Sequence, residues 1–293
     1  MNTTINHVCQ TLAQIAPLRL AEDWDNVGLL IGDRKSSVGR VMTCLTVTPD
    51  VVDEAIEDRA GMIVAHHPLP FKPVAKITTD SVAGEMLWRL IGAGIAVYSA
   101  HTAFDSAAQG VNQMWAAGLG LQSIEPLVPS VSEAGQAISL AAGSSTALSE
   151  SSDGSLGAGR LGRFAAATTL GQLARQATEM VQGQASSDSG GPSSTRLVGD
   201  PARAVTKVAL ACGSGGSFLA AAKRRGCDAL VTGEATFHTC LEARSLGIGL
   251  VLLGHYQSER FAMERLAEQL AAEHAEVTVW ASRSESDPVQ SIG

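Results

Sequence analysis

The chain has 293 residues, 45% of them hydrophobic and 17% charged, with a formal net charge of −8. This length and hydrophobic share allow a sizeable core, in two domains or one large α/β unit, and exclude global disorder. No Lys or Arg occurs between Arg89 and Arg160, so the basic face that a stable nucleic-acid binder shows is not expected.

The N-terminal residues lack a basic start followed by an apolar stretch. No run of about 18 apolar residues is present, so no membrane span is expected. Cys9, Cys44, Cys212, Cys227 and Cys240 are dispersed without a CxxC pair, which fits buried thiols in a reducing cytoplasm. The sequence therefore predicts a cytoplasmic protein.

In chain order, residues 5–16 carry apolar positions at helical spacing and end at Pro17. An acidic, Asn- and Gly-rich turn then flanks a short apolar strand, LLI. The β-branched run VMTCLTVT predicts a strand, followed by a helix opened by Thr48 or Asp50 with Pro49 in its first turn. GMIVAHH predicts a strand ending in two histidines, AGEMLWRLIGAG a helix with a glycine stop, IAVYSAHTAFD a strand running into a polar turn, and GVNQMWAAGLGL a helix. Residues 130–158 are mostly Ser, Ala and Gly and read as a flexible connection. A strand and a helix follow over 159–182, then a second Ser/Gly-rich loop. From Lys207 to Trp280 strands and helices alternate again, which argues for α/β layering.

Two stretches resemble copies of each other. RVMTCL (40–45) and KVALAC (207–212) each open a strand, turn, helix and second strand, and His67 stands as far beyond Arg40 as Glu234 does beyond Lys207. Each third strand ends in His-x-x-x-carboxylate: His101 with Asp105, and His255 with Glu259. On a helix that spacing puts both groups on one face.

Five of the seven histidines, His66, His67, His101, His238 and His255, fall at or just beyond ends of predicted apolar strands. Ligands gather outside the carboxyl ends of strands in α/β sheets. With Asp105, Glu234 and Glu259 beside them, these imidazoles form a donor set suited to zinc, iron, manganese or nickel. Successive strand residues point to opposite sides, so the adjacent pair His66-His67 can reach two positions of one site, which favours two metals. Carboxylates such as Asp105 and Glu259 can bridge two ions, and ions about 3.5–4 Å apart activate a water between them. Gly213, Ser214, Gly215, Gly216 and Ser217 form a glycine turn between strand and helix and are a weak candidate for an anion site. The turn lacks the P-loop ending and the GxGxxG spacing.

The blocks DWDNVGLLIGD (23–33), AHHPLPF (65–71), YSAHTAFDSAAQGVN (98–112), GSGGSFLAAAKRRGCDALVTGEATFH (213–238) and GHYQSE (254–259), in this order, resemble the family of GTP cyclohydrolase 1 type 2 homologues, also called NIF-three-like proteins. The resemblance covers roughly 1–125 and 197–280. It implies two related, intertwined α/β repeats with mixed sheets, a dinuclear metal site between them, and a toroidal homo-oligomer, often a hexamer. It implies His66, His67, Asp105, His255 and Glu259 as ligands of two divalent ions per subunit (zinc, iron or manganese), with His101, His238 and Glu234 lining the site. Glu234 departs from the family pattern, which more often has Asp there.

The expected division is a first repeat over 1–125, a bridging segment with Ser/Gly-rich loops over 126–200, and a second repeat over 201–293. The expected function is metal-dependent hydrolysis of a small-molecule or nucleotide substrate. The alternative is a regulatory or partner-binding ring whose metals are structural or sensory.

Overall fold

The computed structural model describes residues 2–130, 156–184 and 195–290. In chain order it contains α1 (Ile5–Ile15), β1 (Gly28–Ile31), β2 (Arg40–Cys44), α2 (Pro49–Glu57), β3 (Met62–Ala65), α3 (Val82–Gly92), β4 (Ala96–Ser99), α4 (His101–Ser106), α5 (Val111–Gly118), β5 (Gln122–Pro129) and β6 (Gly157–Thr169). It continues with α6 (Leu170–Gln184), β7 (Arg196–Val198), β8 (Ala204–Ala211), α7 (Leu219–Arg224), β9 (Ala229–Thr232), α8 (Phe237–Leu246), β10 (Gly249–Leu252), α9 (His255–Glu273) and β11 (Thr278–Ala281). The local signals act as the sequence leads one to expect. Thr48 caps α2 by accepting the Val51 N–H, with Pro49 at the first helical position, and Ser81 caps α3 through the Gly84 N–H.

The strands form two mixed sheets. One has the order β1-β4-β3-β2-β11 and the other β5-β6-β8-β9-β10-β7. Each is built on three consecutive parallel strands, β2-β3-β4 or β8-β9-β10, with an antiparallel strand beside the third, β1 or β7. This is the duplication that the sequence predicts. The parallel strands β3, β4, β9 and β10 are buried at every position, as strands covered on both faces must be. The repeats are also intertwined: β11, the last strand, pairs in parallel with β2 of the first sheet.

Helices fill the space between the sheets and cover the outside. The central core joins α1, α5, α6 and α9 to the facing sides of both sheets, with Tyr98, Trp115, Leu210 and Phe261 among its buried side chains. A second cluster packs α2 and α3 on the outer face of the first sheet, and a third packs α7 and α8 on the outer face of the second.

Three features differ from what the sequence suggests. The HTAFD segment is not a turn but α4. QSIEPLVP, which carries no strand expectation, is strand β5 despite its prolines; it lies at a sheet edge, where a missing N–H is tolerated. The strand expected from residue 159 is present as β6, 13 residues long, but it pairs with both β5 and β8 and so makes part of the expected bridging stretch 126–200 integral to the second sheet. Residues 131–155, most of the Ser/Ala/Gly-rich 130–158 connection, lie outside the described residues.

Arg160 on β6 is fully buried and donates to the carbonyls of Gly157, Gly159 and Ala107 and to Gln113 Oε1. Burial lowers its guanidinium to about 10. Its bonds tie β6 to the α4–α5 connection.

Candidate metal centre

The duplicated topology brings the carboxyl ends of both parallel strand sets to one cleft. His66 and His67 follow β3. The turn after β4 starts α4 at His101, so Asp105 lies one helical turn on, and α9 in the second repeat begins at His255 with Glu259 one turn on. His101 is held at φ 26°, in the left-handed region. A non-glycine residue there is strained and needs its surroundings to hold it.

Asp25 supplies that hold. Its carboxylate accepts from His101 Nδ1 at 2.7 Å, from the Thr102 N–H at 3.1 Å and from the Thr102 hydroxyl. Burial opposes charge on Asp25, but these bonds win and hold its carboxyl at about 2. Burial is the largest influence on His101 and works against its protonated form, but the Asp25 hydrogen bond together with the charges of Asp105, Asp25 and Glu259 outweighs it and raises the imidazole. The Nδ1–H is committed to Asp25, which leaves Nε2 for the cleft. Asp25 sits inside the DWDNVG block, but nothing in the sequence says that it meets residues 76 positions on.

The imidazoles and carboxylates converge. His66 Nε2 lies 3.6 Å from Asp105 Oδ1 and 3.9 Å from Glu259 Oε1, so this imidazole stands between the two carboxylates. His67 Nε2 and His255 Nε2 each lie 3.2 Å from Glu259 Oε2. These approaches lack the alignment of hydrogen bonds: both ring nitrogens of buried His66, and Glu259 Oε2, have no hydrogen-bond partner. Buried polar atoms are otherwise nearly always paired. Donor atoms of His66, His67 and His101 lie within 4.8 Å of one another, as do those of His67, His255 and Glu259. A histidine/carboxylate donor set with orphaned, inward-facing atoms fits a divalent transition metal.

The electrostatics follow from packing. Burial drives the His66 imidazole down to about 3, so it is a neutral donor. Burial, then the Glu259 charge, raises the Asp105 carboxyl. Burial would raise Glu259 too, but contacts with His255 and His67 hold it well below the usual range. The same carboxylate pushes His255 up to about 9.

The two repeats use the same supporting device. In the first, the Thr46 hydroxyl after β2 shares a 2.7 Å hydrogen bond with His67 Nδ1. In the second, the Ser214 hydroxyl after β8 donates to Glu234 Oε1 at 2.6 Å, and Glu234 in turn lies 3.0 Å from His255 Nδ1. Hydrogen bonding to His255, then to Ser214, lowers the Glu234 carboxyl.

The remaining sequence candidates divide. His101 lines the cleft, and Glu234 touches it through His255. His238 does not reach it: Thr236, two residues after Glu234, caps α8, and the helix carries His238 to an exposed position against Phe237. The glycine turn at 213–217 lines the cleft through Ser214, Gly215 and Ser217, and two of its polar groups are bonded within the protein. The Gly213 N–H donates to Ser258 Oγ at 2.9 Å, and Ser214 Oγ goes to a carboxylate. Gly213 has φ 58°, and a Cβ there would run into the Glu259 carboxylate and lie 3.2 Å from His255 Nε2. Cys212 is a residue that the sequence did not single out for the site; its thiol donates to Asp105 Oδ1 at 3.1 Å.

This is a duplicated α/β protein with a histidine/carboxylate centre capable of holding metal. The chain belongs to the Duf34/NIF3 (NGG1p interacting factor 3) family, whose model matches residues 3–288. It is 33% identical over 259 residues to a Clostridium acetobutylicum protein named GTP cyclohydrolase 1 type 2 homolog, covering 88% of this chain and 86% of that one. A Clostridium perfringens protein of the same name is 30% identical over 291 residues, covering 98% and 99%. Among solved structures, a Bacillus cereus protein related to NIF3 superposes with a TM-score of 0.83 at 27% identity, covering 99% of each chain. No described helix is long and apolar enough to cross a membrane.

Proposed function

We propose that the chain binds two divalent ions, zinc, iron or manganese, through His66, His67, Asp105, His255 and Glu259, and hydrolyses a small-molecule or nucleotide substrate in the cleft. The observation that carries this reading is His66, buried with both ring nitrogens unpartnered between Asp105 and Glu259. A bound metal pair would polarise a substrate oxygen and bring the pKa of water toward ~7. The chain's own groups do the rest. Asp25 fixes the tautomer of His101, Thr46 orients His67, and Glu234 orients His255. His101, facing the cleft through Nε2, can carry a proton to or from a substrate atom. The names of the clostridial relatives support ring-opening hydrolysis of GTP as one candidate reaction. The working form would be a cytoplasmic homo-oligomeric ring, as the family resemblance implies.

Elemental analysis after reconstitution, with turnover on a panel of nucleotides, phosphoesters and small esters, tests the reading. About two ions per chain and metal-dependent turnover are expected. A stoichiometry well below one would sink the ligand assignment, and full loading without turnover would sink the hydrolase. Light scattering on the purified protein tests the oligomeric ring.

A further inference from the structure

The cleft has a volume of about 680 Å³ and holds more than the metal-binding cluster. Two large aromatic side chains stand on its rim, Trp24 with 61% and Phe71 with 47% of their surface exposed. Single exposed apolar residues are ordinary, but two together at a polar cleft are an observation to explain. Their rings are 6.0 Å apart and tilted by 53°, so they do not stack on each other. Both lie against His101, Trp24 edge-on at 5.9 Å and Phe71 at 6.3 Å.

The segments that carry these rings are held in place. The Glu22 N–H donates to Thr102 Oγ1 at 3.0 Å, and Asp25 is bonded to His101 and Thr102, so Trp24 is fixed on both sides. Asn26 Nδ2 donates to the Pro70 carbonyl at 2.7 Å, which joins the Trp24 segment to the one bearing Phe71. The aromatic pair is therefore pre-organised rather than free to fold into the core, and pre-organisation lowers the cost of binding. None of the described residues lining the cleft is Lys or Arg, while Glu22, Asp105 and Glu259 all line it. The described lining thus offers a phosphate group no lysine or arginine, and its His255 imidazole is already paired with Glu234 and Glu259.

We propose that Trp24 and Phe71 form a ring-binding subsite at the mouth of the cleft, which seats a planar heteroaromatic group by stacking and leaves recognition of any anionic arm to the metals. Every heteroaromatic base presents a π-face, and stacking on an aromatic side chain is largely indifferent to its edge pattern. The subsite places such a ring beside His101 and selects ring-bearing substrates over open-chain or purely sugar-phosphate ones. This inference rests on the proposed function only in taking the cleft as the substrate site.

The test uses the full chain, chelator-treated and metal-loaded, with guanosine as an uncharged ring probe and ribose 5-phosphate as the ring-free control. Calorimetry on the metal-free chain should show guanosine binding, with ribose 5-phosphate at least about tenfold weaker and GTP no tighter than guanosine. Trp24→Ala and Phe71→Ala should each weaken guanosine binding about tenfold, in both forms of the protein, with metal content unchanged. Both side chains are exposed, so neither variant threatens the core. The inference is overturned if guanosine does not bind the metal-free chain, or if both variants bind it as the parent does. It also falls if Trp24→Ala changes only the oligomeric state, which would make the pair a subunit interface. Loss of the subsite with metal loading and turnover intact leaves the hydrolase reading standing. Guanosine binding that depends on Trp24 in a chain that takes up no metal does the reverse.

Discussion

The Thr46 hydroxyl lies 2.7 Å from His67 Nδ1, and it is held there by a residue from the far end of the chain. Glu285 accepts the N–H of Thr46 at 2.6 Å and that of Leu45 at 2.9 Å, across 240 positions of sequence in the second case. Arg260, the neighbour of Glu259, pairs with Glu285 at 2.9 Å. One imidazole of the centre is therefore aimed by a relay that begins outside both histidine motifs. Thr46→Val keeps the shape and removes the hydrogen bond. Groups that orient a metal-bound histidine typically contribute 10–100-fold to affinity, so the variant should bind metal on the order of tenfold more weakly while losing only about 1 kcal/mol of stability. Competition with a chromogenic chelator measures the first, urea denaturation the second. Unchanged affinity would mean that His67 is aimed by other contacts.

Gly213→Ala should be far more harmful than its size suggests. The position has φ 58°, and the added methyl would meet the Glu259 carboxylate. The backbone strain alone costs about 1–2 kcal/mol, and relieving the clash must displace Glu259 or α9. Thermal melts should show a loss of that order, with metal binding weakened well beyond tenfold. Normal metal affinity in a folded Gly213→Ala protein would place Glu259 outside the centre.

Glu54 gives the fold an acid-sensitive joint. Burial alone would raise its carboxyl above the reference value of 4.5, but hydrogen bonds from Ser282, from the Ser284 and Arg283 backbones and from Trp280 hold it below. A carboxyl whose folded value is depressed contributes stability that is present above its unfolded value and lost as pH falls through the folded one. That contribution is complete at neutral pH and declines once pH drops below 4.5. Glu54→Gln leaves a buried donor facing donors, and should cost about 1–3 kcal/mol at neutral pH. Urea melts should show this gap narrowing as pH falls below the carboxylate range. A gap independent of pH would mean that the charge on Glu54 contributes nothing.

The 131–155 stretch should be replaceable by a short turn. β5 and β6 are antiparallel neighbours, Pro129 pairs with Gly157, and the Ser130 N–H donates to the Leu156 carbonyl at 3.1 Å. The chain thus leaves and re-enters the sheet at adjacent points, as in a hairpin, and a two- to five-residue loop closes such a gap. The shortened protein should keep its metal content and melting temperature. Aggregation or metal loss would show that the excised residues support the fold.

These residues also show what the sequence makes legible. His66, His67, His101 and His255 are visible because strand ends in α/β sheets are marked by the switch from β-branched runs to Gly, Pro and polar residues. The duplication is visible because both copies keep the same spacing. Helix α4 is hidden because a six-residue helix opened by a strained histidine has no periodicity to detect. Glu285 and Asp25 are hidden as partners because their roles depend on contacts across 239 and 76 positions, which no local pattern encodes. The place of His66 between Asp105 and Glu259 is hidden too, because it depends on how deeply the imidazole is buried and not on its spacing from either carboxylate.

Strand β11 carries a consequence for how this protein is made. It supplies the edge next to β2, yet it is the last strand of the described chain, and the residues just after it, 282–285, bind Glu54, Leu45 and Thr46. On the ribosome the first sheet must wait, with β2 unpaired on one side, until residues 278–281 have been translated. Such an open edge invites pairing with a neighbouring nascent chain. Synthesis that stalls before residue 278 should therefore yield aggregates rather than a folded first half, and prompt emergence of β11 is itself a protection against misassembly.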